Sequence, residues 1–198
     1  MWDDKLWIKD KGWTSVRDYI EEVPDFPIKG ISFKDISPLL ADKYMFNGVV
    51  AEMGKLVDIG IHRDGKSPDY WIGIDARGFI FASALAIHCG GGVVMCRKAG
   101  KLPPTINGKT LFSYSYETEY SKDTVEMKGG SGTAVIVDDV LATGGTLQAV
   151  NHLVGMAGYD IIDNLVLIDL LYVTRTHTMM VDGAKEFDLE VKSLIQYE

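Results

Sequence analysis

Short apolar runs alternate with helical segments between residues 70 and 170, and this alternation constrains the fold more than any other feature of the sequence. The predicted elements are, in chain order, a strand at 70–74, a helix at 79–88, strands at 93–96 and 133–137, a helix at 147–156 and a strand at 165–170. Apolar strands separated by helices are typical of parallel sheets that are covered on both faces. We therefore predict an α/β fold with a doubly wound, mainly parallel sheet and helices on both faces.

Two further helices and two loops are predicted outside this alternation. Residues 15–23 place apolar side chains on one helical face before Pro24, and residues 43–57 show apolar residues at helical spacing. Residues 25–30 contain Pro and Gly and are expected to form a loop. Residues 102–132 are polar, aromatic and long for a connection, which indicates a functional loop with room for a hairpin.

The length of 198 residues predicts a single domain, residues 1–198. Its first 13 residues contain Trp2, Trp7 and Trp13 among mixed charges. Aromatic side chains of this size bury a large apolar area when they find a partner surface. We expect residues 1–13 to form an arm that packs on the body of the protein or on a partner subunit.

Composition and charge exclude several classes of protein. The chain has 20 Lys and Arg against 28 Asp and Glu, a net charge of −8, which is unfavourable for a general nucleic-acid binder. No apolar run approaches the roughly 18 residues that span a bilayer, and the acidic start has no signal-peptide core. Cys89 and Cys96 lack the spacing of a disulfide framework or a zinc site. We expect a cytoplasmic protein that binds neither nucleic acid nor membrane.

The strongest chemical signal is the segment that runs from a β-branched strand through two acids into a Thr-Gly-Gly-Thr turn and a helix. The turn offers backbone N–H groups, hydroxyl groups and a helix N-terminus, and glycine lets the backbone approach an anion closely. This combination predicts a cradle for a phosphate group. Its residues are Ala142, Thr143, Gly144, Gly145 and Thr146.

The two acids before the cradle, Asp138 and Asp139, need a different target because they repel phosphate. One or both can accept hydrogen bonds from ribose hydroxyls or reach a hydrated magnesium ion. A phosphate cradle beside sugar-binding acids indicates a site for a sugar phosphate. The P-loop pattern GxxxxGK[ST] and the dinucleotide pattern GxGxxG are both absent from the sequence.

Cationic and aromatic residues elsewhere fit such a ligand. Arg77 follows a predicted strand, and Arg97, Lys98 and Lys101 form a compact cluster after the next one. Guanidinium groups bind diphosphate in a bidentate manner, so we expect an anion site rather than a solvated turn. Phe33 is either part of the core or a residue that stacks on a flat base.

Further segments allow the family to be named. Together with the strand-to-cradle segment they are, in order, residues 24–27, 30–38, 75–79, 97–103, 119–120 and 193–198. Over about residues 14–198 they resemble the adenine phosphoribosyltransferases, which are type I phosphoribosyltransferases. The resemblance implies magnesium-dependent transfer of the ribosyl 5-phosphate group from phosphoribosyl diphosphate (PRPP) to adenine. The products would be AMP and diphosphate, and the role purine salvage.

The resemblance also implies how the site is divided. A hood at about residues 24–38 would bind adenine through Ile31, Ser32, Phe33 and Lys34. The cradle and the two acids would hold PRPP, and Arg77, Arg97, Lys98 and Lys101 the diphosphate. Glu119 and Tyr120, on the flexible loop, would be catalytic together with Arg77. Magnesium would be held mainly by PRPP with no certain protein ligand, and the enzyme would be a homodimer.

Two alternatives stay open at this point. One is a phosphoribosyltransferase for another purine base, such as hypoxanthine, guanine or xanthine. The other is a regulatory protein that keeps the PRPP-binding fold and binds DNA, although the acidic arm before Pro24 does not supply a basic DNA-binding module.

Overall fold

The computed structural model describes residues 4–8, 11–57, 67–104, 110–117, 122–173 and 189–198. The chain divides into two compact units, residues 1–52 and 53–198. The prediction of one domain over residues 1–198 stays a prediction. Within the described residues, no helix has both the length and the apolar character needed to cross a membrane.

The first unit consists of two small hairpins and short helices. Its elements are β1 (Lys5–Ile8), β2 (Gly12–Ser15), a 3-10 helix (Val16–Tyr19), β3 (Glu21–Pro24), β4 (Ser32–Asp35), α1 (Ser37–Ala41) and α2 (Lys43–Leu56), whose last turn belongs to the second unit. β1 pairs antiparallel with β2, and β3 with β4. The loop predicted at residues 25–30 is confirmed, because it joins β3 to β4. α2 confirms the helix predicted at residues 43–57.

The helix predicted at residues 15–23 is wrong. Only one 3-10 turn forms, and Ser15 caps it by accepting a hydrogen bond from the backbone N–H of Arg17 at 3.2 Å. The chain then turns into β3, in which Val23 pairs with Phe33. A segment this short is marginal as a helix, and the residue before a proline prefers extended backbone. Strand pairing therefore determines the conformation here.

Two tryptophans of the N-terminal arm pack on each other. Trp7 and Trp13 are cross-strand partners in the β1–β2 hairpin, and their ring centroids are 5.7 Å apart in an edge-to-face arrangement. Both remain about two-thirds exposed, at 67% and 68%. Leu6 and Ile8 of the same hairpin are buried. Trp2 lies outside the described residues.

The second unit contains a seven-stranded sheet in the order β11-β10-β9-β5-β6-β8-β7. Its elements are β5 (Tyr70–Ile74), α3 (Gly78–Cys89), β6 (Gly92–Lys98), β7 (Leu111–Glu117), β8 (Lys122–Lys128), β9 (Gly132–Leu141), α4 (Gly145–Met156), β10 (Tyr159–Leu170) and β11 (Lys192–Tyr197). From β11 to β6 all neighbours are parallel, whereas β8 joins β6 and β7 antiparallel. The mainly parallel α/β sheet is therefore confirmed, and so is the hairpin in residues 102–132.

The crossover connections run in opposite directions from β5 and β9. β5 leads through α3 to β6 on one side, and β9 leads through α4 to β10 on the other. Because such crossovers are right-handed, the two helices cover opposite faces of the sheet. Open sheets of this kind bind ligands at the carboxyl ends of the strands, where the crossover direction changes. Residues that follow β5, β6 and β9 are therefore brought to one edge.

The middle of the sheet is fully covered. Ala134, Val135, Ile136 and Val137 of β9 have no exposed surface. Trp71 and Ile72 of the adjacent β5 are equally buried, as are Phe81, Ala82 and Leu85 of α3. Burial of this continuous apolar set fixes the position of β9, and with it the start of α4.

Candidate active site

A cleft of about 210 Å³ lies at the carboxyl ends of β5, β6 and β9, and the β7–β8 hairpin contributes part of its wall. Its lining comprises Ile74, Asp75, Ala76, Arg77, Cys96, Lys98, Tyr116, Asp123, Val125, Asp138, Asp139, Val140 and Thr146. Five of the predicted site residues are thus brought together: Arg77, Lys98, Asp138, Asp139 and Thr146. Arg97, Lys101 and residues 142–145 lie outside this lining.

The predicted phosphate cradle forms the start of α4. Gly144 has a φ of 86°, in the left-handed region, and its carbonyl accepts the helical hydrogen bond from Gln148 N at 2.9 Å. Among the residues that the structure describes, a Cβ on Gly145 would meet only Thr143 Oγ1, at 3.9 Å, so these residues leave the space in front of Gly145 open. A helix N-terminus directs its first N–H groups outward and favours negative charge. The geometry at this point therefore suits an anion.

The two acids at the end of β9 have different partners. Asp139 lies 2.8 Å from Arg77, measured from Oδ2 to Nε, and its side chain is 5% exposed. Asp138 accepts a hydrogen bond from the backbone N–H of Asp139 at 2.9 Å. The close ion pair of Arg77 is thus with Asp139, and the Asp138 carboxylate faces the cleft beside it.

Burial makes the ionised form of both carboxyl groups unfavourable. Burial raises the pKa of Asp138 well above its usual range, and the neighbouring charge of Asp139 raises it further. Burial also raises the pKa of Asp139, although the Arg77 guanidinium acts in the opposite direction. Hydroxyl donors or a cation in the cleft would favour the ionised form of Asp138.

The basic cluster is organised by Asp75, a residue to which the sequence analysis gave no role. Its carboxylate accepts a hydrogen bond from Lys101 Nζ at 3.2 Å and lies 3.4 Å from Arg97 Nε. Burial would raise the pKa of Asp75, but the hydrogen bond and charge of Lys101 outweigh it and lower the pKa. Lys98 lies 3.7 Å from Asp123. Two cations share one carboxylate, so the cluster keeps a net positive charge beside the cleft.

A thiol lies in the wall of the cleft but is not suited to nucleophilic chemistry. Burial raises the pKa of Cys96 to about 12, so the thiol stays protonated at neutral pH. Tyr116 of β7 also lines this wall. Its hydroxyl lies 3.2 Å from Thr146 Oγ1.

The predicted adenine-binding residues belong to the first unit, in and next to β4. Phe33 packs edge-to-face on Phe26, with ring centroids 5.2 Å apart. Lys34 is buried and its ammonium group pairs with Glu22 across the β3–β4 hairpin. Ile31 donates its N–H to Ile28 O and accepts from Phe26 N through its carbonyl, both at 3.2 Å. Ser32 opens β4 and pairs with Pro24.

The two predicted catalytic residues of the loop, Glu119 and Tyr120, lie outside the described residues. The hairpin that brackets them is described: Glu117 ends β7 and pairs with Lys122, which begins β8. Tyr116 and Asp123, the next pair of this ladder, both reach the cleft. The loop therefore starts and ends at the wall of the site.

Comparison with known proteins identifies relatives that cover most of the chain. A family model for the phosphoribosyl transferase domain matches residues 54–186. The adenine phosphoribosyltransferase of Hydrogenovibrio crunogenus is 39% identical over 181 residues, which are 91% of this chain and 95% of that protein.

Solved structures give the same result. The crystal structure of adenine phosphoribosyltransferase from Thermoanaerobacter pseudethanolicus matches with a TM-score of 0.76 and 37% identity, covering 92% of this chain and 98% of that one. The enzyme of Saccharomyces cerevisiae, crystallised with an imino-altritol bisphosphate and adenine, matches with a TM-score of 0.69 and 30% identity over 78% of this chain and 86% of that one.

The buried Asp138 predicts a pH-dependent effect on stability. Because its pKa is raised in the folded protein, the folded state keeps a proton that the unfolded state releases near the ordinary carboxyl pKa of about 3.9. Wild-type stability therefore falls as the pH rises above that value. Asp138→Asn removes this loss and preserves the acceptor for Asp139 N. We expect the melting temperature of the variant to exceed that of the wild type by more at pH 8 than at pH 4.

Thermal unfolding of the two proteins across this pH range measures the effect. Asp18→Asn, which removes an exposed carboxyl of the 3-10 helix, corrects for the loss of one negative charge. A difference in melting temperature that stays constant from pH 4 to pH 8 would contradict the prediction.

Proposed function

This chain belongs to the phosphoribosyl transferase family, as an adenine phosphoribosyltransferase of purine salvage, and on that premise we propose how its residues divide the reaction. The enzyme transfers a phosphoribosyl group to adenine. The observation that supports the division is that the acids near the end of β9, the start of α4 and the cationic residues at the ends of β5 and β6 all lie at one edge of the sheet.

The start of α4 would hold the 5-phosphate of PRPP. The open space in front of Gly145 and the outward N–H groups of the first turn support this role. Asp138 would accept hydrogen bonds from the ribose hydroxyls, since Asp139 is already engaged by Arg77. A ribose bound at Asp138 and a phosphate at the helix N-terminus would fix both ends of the sugar, which orients C1 for attack.

The leaving diphosphate would bind among Arg77, Lys98 and the pair of cations that Asp75 holds, Arg97 and Lys101. The anomeric carbon loses diphosphate and develops oxocarbenium character, as in glycoside chemistry. Charge builds up on the diphosphate as the bond from C1 to oxygen breaks, so fixed cations stabilise the transition state more than the ground state.

Adenine would bind in the hood of residues 24–38. The face of Phe33 is suited to stacking on a purine, and the Ile31 carbonyl has a second lone pair that can accept from the adenine amine. The amide next to it, at Ser32, is the candidate donor to the ring nitrogen. Lys34 would act through its ion pair with Glu22, since its ammonium group is buried in that pair.

Glu119 would be the acid/base of the reaction, with Tyr120 beside it. Adenine must lose a proton as its ring nitrogen attacks C1, and a carboxyl group on a closing loop is suited to take it. The bracketing pair Tyr116 and Asp123 at the cleft supports a loop that reaches the reacting atoms.

Magnesium fits the donor chemistry of the cleft as an ion held mainly by PRPP. Within the described residues no group of three or more His, Cys, Asp or Glu side chains could hold a metal by itself. Asp138 is the side chain that would contribute, directly or through water, because Mg²⁺ prefers oxygen ligands and keeps several waters. When bound to diphosphate, magnesium neutralises part of its charge.

We also propose a homodimer in the cytoplasm. Ile87 of α3 is 88% exposed, and Val93 and Met95 of the neighbouring β6 are 41% and 45% exposed. Large apolar side chains exposed on adjacent elements support an interface between subunits. Light scattering of the purified protein measures the oligomeric state.

Base preference tests the activity directly. Adenine carries a donor amine beside an acceptor ring nitrogen, and hypoxanthine reverses this pattern, which leaves buried groups of the site unpaired. We expect kcat/KM for adenine to exceed that for hypoxanthine by roughly a thousandfold or more. The measurement is diphosphate release from PRPP and magnesium with a panel of purine bases. Comparable turnover of adenine and another purine would favour the first alternative, a phosphoribosyltransferase for another purine base.

The cradle is tested by Gly145→Val. The valine side chain would extend into the space assigned to the 5-phosphate, and its Cβ would make only an ordinary contact with Thr143 Oγ1, so PRPP binding should be lost while the melting temperature changes little. Gly155→Val is the matched control, because it alters another glycine of α4 whose Cβ position is open. Retention of PRPP affinity in a folded Gly145→Val protein would move the phosphate site elsewhere.

The acid/base role is tested by Glu119→Gln. The change keeps the size of the side chain and removes its basicity, so turnover should fall by about a hundredfold or more while the PRPP dissociation constant barely changes. Glu117→Gln is the control and should have a mild effect. Loss of turnover in Glu117→Gln but not in Glu119→Gln would shift the role by two residues. If both variants keep wild-type turnover with chemistry rate-limiting, the loop supplies no acid/base.

A further inference from the structure

One hydrogen bond connects the hairpin that carries the catalytic loop to the start of α4. Tyr116 lies near the end of β7, and its side chain is 5% exposed. Its hydroxyl donates to Thr146 Oγ1 at 3.2 Å. Thr146 is the second residue of α4 and belongs to the predicted cradle. The two residues are separated by 30 positions in the sequence, so a local sequence pattern does not predict the contact.

The direction of this hydrogen bond determines what Thr146 can do. A threonine hydroxyl has one hydrogen to donate and two lone pairs that accept. Because one lone pair already accepts from Tyr116, the hydrogen of Thr146 is directed away from the tyrosine. Both side chains line the cleft. The hydroxyl hydrogen of Thr146 can therefore point toward an anion that is bound in the cleft. A hydroxyl that accepts one hydrogen bond is also a stronger donor in the next.

Burial keeps Tyr116 in the donor form. Burial raises the pKa of its phenol above the ordinary value, although the hydrogen bond with Thr146 acts in the opposite direction, and the charges of Asp123 and Asp138 add to the rise. The protonated phenol has the hydrogen that it donates to Thr146 Oγ1 in this geometry. The ring itself belongs to the apolar core cluster of the second unit, which fixes its orientation.

We propose that Tyr116 is a positioning residue for phosphate binding: its hydroxyl orients Thr146 as a hydrogen-bond donor to the 5-phosphate of PRPP. The inference rests on the proposed function of the start of α4 as the 5-phosphate site. It assigns Tyr116 no contact with the reacting atoms. The hydrogen bond from Tyr116 to Thr146 also connects β7, the strand that leads into the catalytic loop, with α4, whose start is proposed to hold PRPP.

Tyr116→Phe tests the proposal because it removes the hydroxyl and keeps the ring in the core. We expect the KM for PRPP and the dissociation constant of ribose 5-phosphate to rise about threefold to tenfold, the scale of one hydrogen bond. The KM for adenine and kcat at saturating PRPP should stay within about twofold. Tyr114→Phe is the matched control: it removes a hydroxyl from the same strand, where the ring packs on His152 with centroids 4.4 Å apart.

A double-mutant cycle with Thr146→Val separates positioning from packing. Thr146→Val removes the hydroxyl that Tyr116 is proposed to orient, so adding Tyr116→Phe should then raise the KM for PRPP no further. An unchanged KM in Tyr116→Phe would overturn the proposal. So would an equal rise in Tyr114→Phe, or an equal further rise in the Thr146→Val background.

Failure of this inference is distinguishable from failure of the proposed function. If Gly145→Val abolishes PRPP binding while Tyr116→Phe leaves it unchanged, the phosphate site stands and the role of Tyr116 is wrong. If Gly145→Val retains affinity, the phosphate site itself is misplaced and the inference falls with it.

Discussion

The ion pair between Asp139 and Arg77 joins the ends of the two central strands of the sheet at the edge where the site lies. Asp139 follows the fully buried part of β9, and Arg77 immediately precedes α3 after β5. The parallel ladder of β5 and β9 brings the two chain segments side by side, and the Arg77 guanidinium offsets part of the cost of burying the Asp139 carboxylate. The cleft opens directly beside it, and the other acid, Asp138, is left to face a ligand.

The protein has to bind a highly anionic substrate although its own net charge is −8. It does so by local arrangement rather than by overall charge. Asp75 gathers Arg97 and Lys101 at distances of 3.4 and 3.2 Å, and Lys98 adds a third positive charge nearby. In the proposed function, binding of diphosphate in this place would exchange a shared carboxylate for several phosphate oxygens, each of which can accept from a guanidinium or ammonium group.

The sequence allows the parallel part of the sheet and five of the residues that line the cleft to be predicted, because both depend on local pattern. The β-branched strand before Asp138 and the glycines after it are adjacent in sequence, so the strand, the acids and the cradle follow from one short segment. The helix predicted at residues 15–23 fails because its conformation depends on β4, a strand with weak apolar alternation of its own. β11 was missed for a similar reason: its residues become a strand by pairing with β10.

The parts of the site that local pattern could not supply are contacts between distant segments. In the sequence Asp75 is only a residue near Arg77, and nothing around it indicates that it pairs with cations at the end of β6 and in the loop that follows. Tyr116 belongs to a run of alternating aromatic residues that suits an ordinary hairpin, and only the packing of the hairpin against α4 gives its hydroxyl a partner. A hydrogen bond of this kind depends on the register of β7 against β8, because a shift by one residue would turn the phenol to the opposite face. The register that places Tyr116 opposite Asp123 therefore determines which residues flank the loop. The same register directs the Tyr116 hydroxyl toward Thr146.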